Sequence, residues 1–164
     1  MNNRTIHITI SEAESFAALP TNLQPLVTRA QDMAKTAYAP YSHYKVGAAL
    51  LLSNGTVVTG NNQENIAYPS GLCAERVAFF AASANNPGLA IVAVAIAAIN
   101  ERANTDEACT PCGACRQVMA EYETKQGQPI PLVMPAGNGR YVIIENMASL
   151  LPFQFEASGL KKNE

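Results

Sequence analysis

A chain of 164 residues, 48% hydrophobic and 15% charged, is one domain's worth of sequence with enough apolar material for a core without disulfide staples. A formal net charge of −2 and no block of like charges exclude a surface built for nucleic-acid backbones or acidic membranes, which need clustered Lys and Arg. The start of the chain carries no secretory pattern, and the longest apolar run, residues 89–99, is too short to span a bilayer, so a cytoplasmic location is expected.

In chain order, residues 4–10 alternate Ile6, Ile8 and Ile10 with polar partners and read as an edge strand within an N-terminal extension of residues 1–20. The single domain expected after it covers residues 21–164. Residues 23–38 carry Leu26, Ala30, Met33, Ala34 and Ala37 at helical spacing, with Pro40 as the stop. Residues 46–52 and 56–60 flank Ser53-Asn54-Gly55, and Asn-Gly tolerates the positive φ of a tight hairpin turn. Residues 61–71 read as a loop, residues 73–83 as a helix and 85–88 (Asn-Asn-Pro-Gly) as a turn. Residues 89–99 then form a continuous buried strand. A polar loop over 100–110 leads to a helix over 112–124, strands over 130–134 and 140–144 around a Gly-Asn-Gly turn, and a short helix over 146–151. This order fits an α/β fold: a mixed central sheet of about five strands covered by helices.

The chemistry concentrates in the cysteines. Cys109, Cys112 and Cys115 fall within seven residues, and Cys73 lies upstream. In a reducing compartment such a cluster points to a metal or redox role rather than a disulfide framework. Cys112 and Cys115 are three apart, so one helical turn turns both sulfurs to the same side. Cys73, from another helix, supplies a third soft ligand. Three protein ligands and an open position are the pattern of a catalytic zinc; a closed structural site takes four. Both cysteine groups stand at expected helix starts, where the dipole and free N–H groups favour thiolates. Arg76 is placed to donate to a ligand sulfur. Glu75, two residues past Cys73, is placed to take a proton from a zinc-bound water and hand it to substrate.

Cys73-Ala74-Glu75 followed by Pro111-Cys112-Gly113-Ala114-Cys115 resembles the cytidine deaminase family, whose zinc chemistry and H-x-E…P-C-x-x-C signature are a general pattern of base deaminases. Cys73 takes the first ligand position. The stretch from Tyr41 to Ala49, Gly60-Asn61-Asn62-Gln63-Glu64-Asn65 and the segment from Leu150 to Phe155 are also similar, so the resemblance covers about four-fifths of the chain. It implies a three-layer α/β/α fold, one Zn²⁺ per subunit and hydrolytic deamination of free cytidine and deoxycytidine in pyrimidine salvage. It further implies that Glu75 moves protons to ring N3 and to the departing amine. Asn62 and Glu64 would hold the ribose 3′-hydroxyl, Tyr44 (in place of a usual Phe) would pack on the base, and Ala74 would offer backbone groups to the pyrimidine edge. Tyr68 and Phe155 would reach a neighbouring subunit's site in a homotetramer. The partner is a small nucleoside; no nucleic acid and no membrane is expected.

Two alternatives stand beside this one. A blasticidin S deaminase carries the same zinc chemistry toward another substrate. A structural-zinc module without catalysis would close the metal with a fourth ligand, for which Cys109 is the candidate; Pro111 separates it from the helix start, so it reads as a bystander.

Overall fold

The computed structural model describes residues 1–103 and 108–156. Six strands form one sheet: β1 (Ile10–Ala13), β2 (Tyr44–Leu52), β3 (Val57–Asn61), β4 (Ile91–Asn100), β5 (Leu132–Gly137) and β6 (Arg140–Ile144). Their order across the sheet is β1-β6-β5-β4-β2-β3. Three helices complete the fold: α1 (Gln24–Lys35), α2 (Ala74–Asn85) and α3 (Gly113–Gln126). Among the described residues, no helix is long and apolar enough to cross a membrane.

Two cores, one on each face of the sheet, make the three layers. On one side Leu26, Val27 and Ala30 of α1 pack with Ala49, Ala95 and Val133 of the sheet. On the other, Ala78, Phe79 and Ala82 of α2 and Cys115 and Met119 of α3 pack on Leu50, Ile96 and Leu132. Alternation along the strands sends neighbouring residues into opposite cores: Ala48 and Leu50 face α2, while Ala49 faces α1.

The topology places the site. β2 pairs antiparallel with both β3 and β4, so β3 and β4 run parallel to one another and finish at the same end of the sheet. α2 follows β3 and α3 follows β4, the latter returning through β5, which pairs parallel with β4. Both helices therefore begin beyond the carboxyl ends of their strands and on the same face. Open α/β sheets put their ligands there.

Several expectations shift. The edge strand expected over residues 4–10 begins only at Ile10, which pairs with Ile144 at the end of β6. Residues before Ile10 would extend past Ile144, where the chain already turns toward the 3-10 turn Met147–Leu150, so they find no partner strand and lie exposed. β1 is nonetheless a true edge strand, which makes the sheet six strands instead of about five. The extension is also tied to the fold, because Ala13 and Leu19 are buried in the core under α1. Helix α1 ends at Lys35, short of the expected 38. The Tyr38 N–H donates to Asn62 O (3.1 Å) and Tyr38 O accepts from the Glu64 N–H (2.9 Å), which draws the chain out of the helix and alongside the segment after β3. Part of the loop expected over residues 100–110, namely 104–107, lies outside the described residues.

Candidate active site

Cys73 and Cys112 are the N-cap residues of α2 and α3, both with extended backbone (φ −71°, ψ 154° and φ −68°, ψ 166°). Their carbonyls accept the first helical hydrogen bonds, from Val77 N–H (3.1 Å) and Arg116 N–H (2.9 Å). Each sulfur thus stands at a helix N-terminus, where free N–H groups and the dipole favour negative charge. Cys115, one turn into α3, is fully buried. The three sulfurs lie within 4.8 Å of one another, with Cys73 and Cys112 at 3.8 Å. This soft trigonal set, on two rigid helix starts, fits one zinc ion. No fourth His, Cys, Asp or Glu joins the cluster among the described residues, so the closed structural-zinc alternative lacks its ligand. Cys109 stands apart. It is buried, its thiol shares a hydrogen bond with Tyr44, and burial pushes it up to about 11.

The charge distribution is uneven. Cys73 falls to about 5, first because the Cys115 thiol hydrogen-bonds to it, and further because Arg76 lies beside it. The Arg76 guanidinium nitrogen is 3.8 Å from the Cys73 sulfur, and its Nε is buried without a hydrogen bond among the described residues. Cys115 moves the opposite way, pushed up as the donor to Cys73 and by burial. The Cys115 thiol and Arg76 thus both favour the thiolate form of Cys73.

Glu75, in the first turn of α2, is the one buried charged side chain among the described residues, at 4% exposure. Burial raises its carboxyl above the ordinary value, and the negative Cys73 adds to this, while the Cys115 thiol hydrogen-bonds to it. A buried carboxyl with raised proton affinity, set against the sulfur cluster, is equipped for general acid–base work.

A groove of about 490 Å³ opens beside the cluster, bounded by Cys73, Arg76, Asn62, Glu64 and Tyr68. Asn62 ties its side chain to β2 with one site on each atom: Oδ1 accepts from Val46 N–H (2.7 Å) and Nδ2 donates to Tyr44 O (3.0 Å), which leaves a second lone pair and a second N–H. Glu64 accepts from the N–H groups of Tyr41 (2.9 Å) and Ser42 (3.3 Å) and from the Ser42 hydroxyl. Burial would raise this carboxyl, but those hydrogen bonds outweigh it and hold it below the usual carboxylate range. Tyr44 is half-buried at the start of β2 against the core that holds Cys73 and Cys109. Ala74 is fully buried at the first position of α2.

Tyr68 stands at the groove's rim, 76% exposed, with its ring against Tyr41 at 6.2 Å. Phe155 is not brought to the groove. Gln117 pins its backbone through two hydrogen bonds (2.9 and 3.0 Å), and its ring is 72% exposed.

Two contributors escaped sequence reasoning. Ser42 grips Glu64 from twenty-two residues away, and nothing local in the sequence signals that pairing. Arg116, the residue after Cys115, reaches back to Pro111 O (2.8 Å) and to Leu150 O (3.4 Å), tying the ligand loop to the C-terminal segment. Its position next to a ligand was the available signal.

Residues 20–128 match the family model described as the cytidine and deoxycytidylate deaminase zinc-binding region. The chain is 37% identical over 143 residues to the cytidine deaminase of Sporosarcina psychrophila, spanning 85% of this chain and 95% of that protein. Its fold is similar to the crystal structure of cytidine deaminase from Burkholderia pseudomallei (TM-score 0.68, 36% identity), over 84% of this chain and all of that one. It is likewise similar to that from Mycobacterium tuberculosis (TM-score 0.65, 31% identity, 84% and 99% covered). With three thiols at two converging helix starts and a buried carboxyl beside them, the chain belongs to the cytidine and deoxycytidylate deaminase family and is a zinc-binding hydrolytic deaminase.

Proposed function

We propose that this enzyme deaminates free cytidine and deoxycytidine, releasing uridine or deoxyuridine and ammonia, as a cytoplasmic step of pyrimidine salvage. The observation that carries the reading is the buried Glu75 carboxyl in hydrogen-bond contact with a three-thiol cluster that has no fourth protein ligand among the described residues. Cys73, Cys112 and Cys115 would hold the zinc, which when bound would supply Lewis-acid activation of the attacking water. Glu75 accepts one proton from the attacking water and delivers it to ring N3, then takes the second from the new C4 hydroxyl and delivers it to the departing amine, which leaves as ammonia. Burial raises its proton affinity, which favours holding a proton between the two transfers. Arg76 offsets the excess negative charge of three thiolates through Cys73. Asn62 and Glu64 hold the ribose 3′-hydroxyl, Tyr44 packs on the base, and the Ala74 backbone meets the pyrimidine edge. Tyr68 and Phe155, both strongly exposed aromatics, complete the site of a neighbouring subunit in a homotetramer.

The direct test is a spectrophotometric assay with cytidine, deoxycytidine, dCMP and blasticidin S, each with and without chelator. Chelator-sensitive turnover of the two nucleosides, with kcat/KM well above that for the other two compounds, is expected. A zinc-loaded enzyme that prefers dCMP or blasticidin S refutes the substrate assignment. Light scattering tests the assembly: an active monomer refutes the shared site.

A further inference from the structure

Glu101 and Arg102, which follow β4, do not line the groove, yet they close around the turn that does. Asn100 is the last residue of β4 and pairs with Tyr44, the first of β2. Immediately beyond it the Glu101 N–H donates to His43 O (3.0 Å). The Arg102 guanidinium donates to Tyr41 O (3.0 Å), while its own N–H is fixed by Asn100 Oδ1 (3.1 Å). The Glu101 carboxylate meets Lys45 Nζ at 2.6 Å and His43 Nδ1 at 3.6 Å, one oxygen to each. Five contacts thus bind residues 100–102 to residues 41–45.

The turn needs holding. His43 sits at φ +56°, a left-handed conformation that costs a side-chain-bearing residue on the order of 1 kcal/mol or more and persists only where its surroundings impose it. That reversal aims the Tyr41 and Ser42 N–H groups and the Ser42 hydroxyl at Glu64. The Ser42 oxygen also accepts from Tyr44 N–H (3.0 Å), so one hydroxyl links the grip on Glu64 to the start of β2.

We propose that Glu101 and Arg102 are positioning residues for the sugar subsite: by clasping the turn at residues 41–43 they fix the orientation of the Glu64 carboxylate. The inference rests on the reading of Glu64 as the contact to the sugar 3′-hydroxyl. Arg102 acts through the Tyr41 carbonyl and Glu101 through His43 and Lys45; neither lines the groove.

The experiment compares wild type, Arg102→Ala, Arg102→Lys and Glu64→Gln on cytidine and 3′-deoxycytidine, alongside amide hydrogen exchange. Arg102→Ala should raise KM for cytidine about tenfold, the worth of one charge-assisted hydrogen bond, with kcat within twofold. KM for 3′-deoxycytidine should stay within twofold, and Arg102→Lys should restore most of the loss. Amide protection of Tyr41 and Ser42 should fall about tenfold in Arg102→Ala, while that of α2 and α3 is unchanged. Equal KM increases for both nucleosides, or unchanged protection at Tyr41 and Ser42, overturn the clasp. A Glu64→Gln enzyme that loses equally on both nucleosides overturns the sugar assignment instead, and the exchange result then decides the clasp by itself.

Discussion

Gly60→Ala tests whether the site depends on how closely α2 lies on the sheet. A Cβ at position 60 would stand 2.6 Å from the Ala78 nitrogen, 2.7 Å from the Ala74 carbonyl oxygen and 3.1 Å from the Ala78 Cα. All three are backbone atoms of α2, so no side chain can swing aside. Ordinary contact begins near 3.4 Å, so the helix must retreat from β3 by the difference, about 0.8 Å. Overpacking of this kind costs about 1–3 kcal/mol. In a chain of this length that lowers Tm by about 2–4 °C per kcal/mol, or up to about 12 °C. The catalytic loss should be out of proportion to the stability loss, because the displaced turn carries Glu75 and follows Cys73. A misplacement approaching 1 Å costs on the order of a hundredfold in rate. Gly113→Ala is the control: its Cβ would meet nothing within 4 Å, so Tm should hold or rise. Thermal scans, zinc content and kcat on cytidine measure all of this. A Gly60→Ala enzyme with wild-type Tm and wild-type kcat would refute the claim that backbone contact with β3 positions α2.

Glu75→Gln should keep stoichiometric zinc and lose about 10²–10⁴ in kcat, the range of a proton-transfer contribution; near-normal turnover removes Glu75 from the mechanism. Glu64 has a depressed carboxyl, so its favourable hydrogen bonds are complete above the ordinary carboxylate value of 4.5 and are lost as pH falls through the lower folded value. Ser42→Ala should move the NMR-monitored Glu64 titration upward, toward 4.5, and an unmoved titration contradicts the assigned grip. Glu123 accepts the N–H groups of Ile130 (2.7 Å), Met147 (2.8 Å) and Ala148 (3.1 Å) on one carboxylate. Glu123→Ala strands these donors and should cost about 3 kcal/mol in denaturant unfolding, with zinc content intact.

The three-cysteine cluster was legible because each of its two motifs is local in sequence. Cys112 and Cys115 share a side by one helical turn, and the structure brings Cys73 to them across thirty-nine residues, as the family motif implies. The hairpin was legible for a similar reason: Asn54-Gly55 turns where expected, with Gly55 at φ +86°. What was not legible depends on distant partners. Strand β1 starts late because β6 ends at Ile144, and α1 stops early because Tyr38 pairs with the segment at residues 62–64. The Ser42–Glu64 grip and the reach of Arg102 to Tyr41 span twenty-two and sixty-one residues, and side-chain type alone announces neither. The readings of Tyr68 and Phe155 depend on a second subunit, and in a single chain both rings lie exposed.

The parallel course of β3 and β4 also bears on how the protein comes to be. Neither ligand-bearing segment can meet the other until β2 has hydrogen-bonded to both neighbours, pairings that join residues as far apart as Tyr44 and Asn100. Such remote closures are slow steps in folding. The complete three-sulfur set is therefore expected to assemble only once β2 has paired with both neighbours, and a chain with only its first hairpin formed would offer zinc a lone thiol at Cys73.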